Sequence, residues 1–129
     1  MRTVNIDLAQ DVPEIEVLII GPRSSQRVNL IFDTGAALTQ IDTGLIEDIG
    51  YSISNASQVM SVLGATGAAQ EGYIIEVQEI SFLGKKIEKP RVGVYDFQNF
   101  PGVDGLLGWD VIRLLHVEMN GPKGILNVF

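Results

Sequence analysis

The sequence contains no cysteine and a single histidine, His116, among its 129 residues. The absence of cysteine excludes disulfide bonds, thiol catalysis and thiolate metal sites. A single histidine argues against histidine-based catalysis and against metal sites built from several imidazoles. The groups that remain for hydrolytic chemistry are carboxylates, of which the sequence has 16 in aspartate and glutamate side chains.

The sequence also lacks long apolar runs and clusters of basic residues. Its apolar runs, such as Val17–Ile20, are far shorter than the ~20 residues of a membrane-spanning helix, which predicts no membrane contact. No apolar signal segment occupies Met1–Asn5, so we expect a cytoplasmic protein. Nine basic residues against 16 acidic ones give a net charge of −7, and their scattered positions disfavour nucleic acid as a partner.

The overall composition is that of a folded domain. Hydrophobic residues make up 46% of the chain and charged residues 19%, which excludes a disordered chain. The length fits one domain, since single domains commonly have ~100–150 residues. No linker or low-complexity tract divides the sequence, so we expect a single domain over residues 1–129.

Alternating apolar residues and frequent turn residues predict a mostly β protein, a sandwich or a barrel. The strands are predicted at Glu14–Ile20, Arg27–Phe32, Leu38–Ile41, Val59–Leu63, Tyr73–Ile80, Arg91–Tyr95, Val103–Leu107, Val117–Met119 and Ile125–Phe129. The first two are expected to form a hairpin. Short helices are predicted at Thr43–Ile49 and Trp109–Leu115, and a turn is predicted at Phe82–Lys86.

Two segments combine apolar strands with residues that can carry chemistry. In the first, Asp33-Thr34-Gly35-Ala36 directly follows the apolar end of a predicted strand. Taken alone, an aspartate in this position is usually a solvated turn residue. In the second, Asp104-Gly105-Leu106-Leu107-Gly108 leads into a predicted helix, and taken alone it could be a buried strand that ends in a glycine turn. Their occurrence together, with a glycine-tipped hairpin between them, favours a functional site.

In this order, Asp33–Ala36, Leu63–Gly67 and Leu106–Gly108 resemble the motifs of retropepsin-like, single-domain aspartic proteases. The resemblance covers nearly the whole chain, and its Asp-Gly-Leu-Leu-Gly form is similar to bacterial and cellular members rather than viral ones. It implies an all-β acid-protease half-barrel with one or two short helices, acting as a homodimer. It also implies an aspartic endopeptidase that acts on a peptide or protein substrate and needs no metal or organic cofactor.

The chemistry of this class uses two carboxylates that share one proton. One carboxylate acts as a base on a water, and the other acts as an acid to the carbonyl. Carboxylates ~3 Å apart cannot both ionise, so their pKa values separate. The sequence repeats the motif letters at Asp42-Thr43-Gly44, but these residues open a predicted helix, so we interpret Asp42 as its N-cap. The resemblance therefore implies that the second carboxylate is Asp33 of a second copy.

The resemblance also implies roles for individual residues. Asp33 is the expected catalytic residue. Residues expected to support the active-site loop are Thr34, Gly35, Ala36 and Gly108. Residues expected to bind substrate are Gly35, Ala37, Leu63, Gly64, Ala65, Thr66 and Leu106, of which Leu63–Thr66 belong to a flap. The segments Val4–Ile6 and Leu126–Val128 are expected to interleave with a partner chain at the dimer interface.

The sequence departs from the viral pattern at three positions. Ala37 and Leu38 stand where viral enzymes carry acidic residues, and Trp109 stands where they carry an arginine. These changes predict more apolar outer subsites, and Trp109 is predicted to be a core residue. The alternative function is a catalytically silent retropepsin-fold module for dimerisation or peptide binding. The intact Asp33, Thr34 and Gly35 favour the enzyme.

Overall fold

The chain forms twelve β-strands and two short α-helices within residues 1–63, 69–97 and 102–129, the residues that this computed structural model describes. The strands are β1 (Arg2–Asn5), β2 (Glu14–Ile20), β3 (Ser25–Phe32), β4 (Gln40–Asp42), β5 (Gln58–Leu63), β6 (Ala69–Glu76), β7 (Glu79–Phe82), β8 (Lys85–Glu88), β9 (Arg91–Tyr95), β10 (Gly105–Leu107), β11 (Val117–Asn120) and β12 (Ile125–Val128). The helices are α1 (Thr43–Asp48) and α2 (Trp109–Ile112), and a 3₁₀ turn covers Ile53–Asn55. The predicted all-β character with two short helices is confirmed.

The strands form two sheets around one apolar core. The larger sheet has the order β5-β6-β9-β4-β10-β3-β2-β7-β8, and the smaller sheet has the order β1-β12-β11. The predicted hairpin of β2 and β3 is confirmed, with antiparallel pairing from Glu14 opposite Ile31 to Ile20 opposite Ser25. Alternate residues of β2 face the core because side chains of a strand point to opposite faces in turn.

The central strand of the larger sheet is the three-residue β10. It pairs in parallel with β3, Leu107 lying opposite Phe32, and antiparallel with β4, Leu106 lying opposite Gln40. Gly105 opens β10 with φ of +156°, and a Cβ there would collide with the backbone carbonyl oxygen of Gln40. Because parallel strands end at the same edge of a sheet, the residues that follow β3 and β10 lie side by side.

The predicted strand Tyr73–Ile80 is wrong in one respect, since the structure divides it between β6 and β7. β6 pairs with β9, whereas β7 pairs with β2 and β8. The buried positions reveal the break: Tyr73, Ile75 and Val77 are spaced by two, but the next buried residue is Ile80. A strand with one buried face keeps a period of two, so the three-residue step requires the chain to change its course.

Strand β8 corrects the predicted turn at Phe82–Lys86, since Lys85 and Lys86 belong to a strand. The turn is confined to Leu83 and Gly84, and β8 lies at the edge of the larger sheet, paired only with β7. Edge strands are commonly short and lysine-rich, since such residues discourage pairing with other chains. Such a strand gives no alternating apolar pattern to recognise.

The two chain termini meet in the smaller sheet. β12 pairs antiparallel with β1 on one side, Leu126 lying opposite Val4, and with β11 on the other. The sequence comparison implied that the terminal segments interleave with a partner chain. Within one chain, both edges of β12 are paired with its own strands, so a partner strand could add only beyond β1 or β11. The interleaving stays a prediction.

We predict that Gly105→Ala destabilises the fold by roughly 3–5 kcal/mol, because the methyl group meets the Gln40 carbonyl and the backbone is strained. The matched control is Gly121→Ala, since a Cβ at Gly121 has no neighbour within 4 Å and the residue has no positive φ. Urea unfolding measures both variants. Equal stability of the two variants would contradict the close approach of β10 to β4.

Candidate active site

Asp33 lies directly after β3, in a tight turn at the centre of the sheet. Its backbone N–H donates to the carbonyl oxygen of Leu107 at 3.0 Å, which continues the β3–β10 pairing by one residue. The Gly35 N–H donates to Asp33 Oδ1 at 2.9 Å, and the Ala36 N–H donates to the Asp33 carbonyl oxygen at 3.3 Å. The half-buried carboxylate is therefore held in one orientation by its own turn.

Gly108 brings the start of α2 against this turn. The Trp109 N–H donates to the Ala36 carbonyl oxygen at 2.7 Å. A Cβ at Gly108 would lie 2.8 Å from that oxygen and 2.8 Å from the Leu38 carbonyl carbon. Because φ of Gly108 is an ordinary −92°, the requirement for glycine comes from the close approach of two backbones.

A buried polar network fixes the end of the same loop to α2. Thr39 is fully buried, and its N–H and hydroxyl donate to Asp110 Oδ1 at 3.0 and 2.8 Å. The hydroxyl oxygen accepts from the Gly108 N–H at 3.0 Å, and the Thr39 carbonyl accepts from the Gly93 N–H at 2.8 Å. Every polar atom of Thr39 is therefore satisfied, as a buried polar residue requires.

Thr39 and Asp110 are not among the site residues predicted from the sequence. An aspartate in the first turn of a predicted helix was a visible signal for Asp110, because such residues favour helix N-termini. Thr39 gave the weaker signal of one hydroxyl in an apolar stretch. Their pairing is tertiary, since the two residues are 71 positions apart.

Asp42 lies outside the active-site turn, and its predicted role as N-cap is confirmed. Asp42 Oδ2 accepts from the Gly44 N–H at 3.0 Å, which caps α1. Asp42 Oδ1 accepts from the Phe97 N–H at 2.9 Å. Both oxygens are thus engaged by backbone donors, although the letters Asp-Thr-Gly are the same as at Asp33.

The structure places Thr34–Ala37 in the turn at Asp33, Gly108 against that turn and Leu106 in the neighbouring strand β10. Thr34, Gly35 and Ala37 are exposed, whereas Leu106 is half-buried in β10. Leu63 ends β5 in the hairpin of β5 and β6. Gly64, Ala65 and Thr66 lie outside the described residues.

Trp109 corrects a prediction, because its side chain is 49% exposed rather than part of the core. The buried residues of α2 are Val111 and Ile112, so the core-facing side of this short helix is already occupied. Trp109 instead lines a surface groove together with Thr34.

Two tyrosine pKa values are shifted, and both residues are outside the predicted site. Burial raises the pKa of Tyr73, and the charge of Glu47 adds to the effect. Burial also raises the pKa of Tyr51; the hydrogen bond from Gln78 opposes the shift and Glu76 adds to it. Both phenols therefore stay neutral at physiological pH. Within the described ranges, no group of three or more potential metal-ligating His, Asp or Glu residues occurs.

The chain matches one protein-family model and is similar in fold to several solved structures. The model of the family described as aspartyl protease matches residues 15–111. A retropepsin-like aspartic protease from Rickettsia conorii has a TM-score of 0.73 at 14% identity, with 98% of this chain and 88% of that chain covered. EIAV protease complexed with the inhibitor HBY-793 has a TM-score of 0.61 at 23% identity, with 85% and 92% covered.

A third similar structure is the retroviral protease-like domain of Ddi1 from Leishmania major. Its TM-score is 0.63 at 16% identity, with 91% of this chain and 87% of that chain covered. The search of curated proteins finds no match. The likenesses establish a retropepsin-like fold, as the sequence resemblance predicted. None of the described helices is long and apolar enough to span a membrane.

We predict that Asp42→Ala lowers the free energy of unfolding by about 1–3 kcal/mol, because the Gly44 and Phe97 N–H groups lose their acceptor. Asp42→Asn is the matched comparison and should lose less stability, since its amide oxygen can still cap the Gly44 N–H while its NH2 group cannot accept from the Phe97 N–H. Urea unfolding of both variants tests this. An Asp42→Ala protein as stable as the parent would contradict the capping role.

We predict that Asp110→Ala costs about 2–4 kcal/mol of stability, because the N–H and hydroxyl of buried Thr39 lose their acceptor. Thr39→Val should also destabilise the protein. The double variant should lose less than the sum of the two single losses, because both remove the same hydrogen bond. Strict additivity in a double-mutant cycle would show that the two residues do not interact.

Proposed function

The chain belongs to the aspartyl protease family and has the retropepsin-like fold, and from this premise we propose that it is an aspartic endopeptidase whose catalytic residue is Asp33. The observation that carries the proposal is the position of Asp33, directly after β3, which is paired with the central strand β10. Its Oδ1 accepts the Gly35 N–H. Among the described residues this is the only hydrogen-bond donor to the carboxylate, so Oδ2 is available to a water or to a shared proton.

The second carboxylate of the pair comes, in this proposal, from Asp33 of a second copy. The aspartates on neighbouring elements are engaged by backbone groups. Asp42 accepts from Gly44 and Phe97, Asp104 accepts from the Asn29 N–H at 2.7 Å, and Asp110 accepts from Thr39. A homodimer with a two-fold axis beside Asp33 supplies an equivalent carboxylate without disturbing these bonds.

The proposed reaction is general acid–base hydrolysis of a peptide bond. The ionised Asp33 removes a proton from the water as its oxygen attacks the carbonyl carbon. The protonated Asp33 of the other copy donates its proton to the carbonyl oxygen, so the pair carries one proton before and after this step. Collapse of the tetrahedral intermediate then breaks the C–N bond, and the amine leaves with a proton from the pair.

The substrate is proposed to bind as an extended strand across the site. Gly35 and Ala37, which follow Asp33, are exposed and carry little or no side chain, so a peptide backbone can approach them. The proposed substrate contacts also include Leu106 and the flap residues Leu63–Thr66. Leu38, which follows Ala37 in the chain, is apolar and half-buried, so we expect a preference for apolar residues at the outer subsites.

We expect Asp33→Asn to lower kcat/KM by about 10²–10⁴-fold or more, because the amide cannot act as acid or base. Asp42→Asn is a matched control with the same substitution in the same Asp-Thr-Gly sequence, and it should keep its activity. Turnover of a peptide library, followed by mass spectrometry at equal protein concentrations, measures both.

Two results would contradict the proposal. Equal turnover by Asp33→Asn and the parent would remove Asp33 from the reaction. A folded, dimeric parent that cleaves no member of the library would favour the catalytically silent module.

A further inference from the structure

A groove lies between α2, the loop that follows the Asp33 turn, and the connection from β8 to β9. It has a volume of about 410 Å³, and its described apolar lining consists of Leu38, Ile87, Pro90, Val111 and Leu114. Leu114 is 64% exposed although its side chain is large and apolar. Single exposed apolar residues are ordinary on protein surfaces, but a contiguous apolar groove marks an interaction site.

Asp110 supplies a carboxylate of fixed orientation to this groove. Its Oδ1 accepts from the Thr39 N–H, the Thr39 hydroxyl and the Val111 N–H at 3.0, 2.8 and 3.0 Å. No described residue donates to Oδ2, so this oxygen is available to a ligand. Because bonds within the chain already set the orientation of the carboxylate, a donor that binds Oδ2 does not have to order the side chain, which reduces the entropy lost on binding.

The charge of the groove favours a basic group on the ligand. Glu88 and Asp110 are acidic, and within the described ranges neither of them forms an ion pair. Arg91 is the one basic residue on the described part of the wall, and its guanidinium donates to Ser57 Oγ at 3.4 Å. The chain as a whole carries a net charge of −7, which attracts cationic ligands at long range.

Leu38 connects this groove to the proposed path of the substrate. Leu38 is the fifth residue after Asp33, so the two Cα atoms are at most ~17 Å apart. A substrate bound as an extended strand advances ~3.3 Å per residue. About five substrate residues therefore suffice to lead from the scissile bond to Leu38, and the residues beyond them meet the groove.

We propose that this groove is a second binding site for the substrate, outside the catalytic cleft, and that it takes a large apolar side chain next to a lysine or arginine. The inference rests on the proposed function for the nature of the ligand, and it adds a feature that selects which polypeptides are cleaved. The apolar side chain packs against Leu38, Val111 and Leu114, and the basic group donates to Asp110 Oδ2. This contact is equal in the bound substrate and in the transition state, so it lowers KM and leaves kcat unchanged.

Steady-state kinetics of the full chain on three matched peptides tests the proposal. A peptide that the parent cleaves is extended by a glycine-serine linker that carries Leu-Arg, Leu-Gln or Gly-Gln about five to eight residues from the cut. The Leu-Arg peptide should have a KM about tenfold below that of the Gly-Gln peptide at equal kcat, since the groove buries the leucine. The Leu-Gln peptide should lie between them, about threefold above Leu-Arg, because an exposed ion pair contributes modestly.

Two variants and a matched control assign the effect to the groove. Leu114→Ala should reduce the tenfold ratio of KM values to about threefold or less, because the apolar wall is lost. Asp110→Asn keeps an oxygen acceptor for Thr39 but removes the charge, so it should abolish the preference for Leu-Arg over Leu-Gln. Leu8→Ala is the control, since Leu8 is 63% exposed and lines a different groove with Val12, and it should keep both ratios. Each ratio compares two peptides on one variant, so a general loss of activity cancels.

Binding of the isolated extension separates this inference from the proposed function. The peptide acetyl-Gly-Ser-Leu-Arg-amide is added to the ¹⁵N-labelled chain, and backbone amide signals are followed by NMR. The signals of Leu38, Glu88 and Leu114 should shift, whereas that of Leu8 should not. Such shifts in a protein that cleaves no peptide would support the groove as a peptide site and reject the enzyme.

Several outcomes would overturn the inference while the enzyme stands. These are equal KM values for the three peptides on the parent, a parental ratio in Leu114→Ala, an equal loss in Leu8→Ala, and a preference for Leu-Arg that survives in Asp110→Asn. Amide shifts that are absent, or confined to residues away from the groove, would also reject it.

Discussion

Three residues of β10, Gly105–Leu107, lie parallel to Leu30–Phe32 of β3, and the contacts of the candidate site depend on that register. The register places the Asp33 N–H on the Leu107 carbonyl and brings Gly108 to the side of the Asp33 turn. A slip by one residue would turn each side chain of β10 to the opposite face of the sheet. The two motifs can therefore form one site only if Gly105 lets β10 approach β4.

The site is rigid on one side and open on the other. Beneath the loop, the buried Thr39 and Asp110 form hydrogen bonds that are strengthened by the low dielectric of their surroundings. On the opposite side, Thr34 is exposed and Trp109 borders it. The turn at Asp33 is therefore positioned by contacts within its own chain, which in the proposed enzyme limits the ordering that binding requires.

Much of the fold could be predicted from local signals. The β2–β3 hairpin, the helix that follows Asp42 and the order of the motifs all depend on alternation, capping and turn residues, which are encoded within a few positions. Four features were not predicted: the break between β6 and β7, the edge strand β8, the exposure of Trp109, and the Thr39–Asp110 network. The break and the network depend on partners that are far away in the sequence. The strand β8 has a local partner but no alternating apolar pattern, and Trp109 is exposed because Val111 and Ile112 occupy the buried side of α2.

The smaller sheet has a consequence for how assembly relates to folding. β12 is paired on both edges with β1 and β11 of its own chain, so its strand pairing does not require a second copy. A single chain therefore completes the described strand pairing of both sheets by itself. In the proposed dimer, folding is first-order whereas assembly depends on the square of the concentration, so the proposed activity depends on the abundance of the protein.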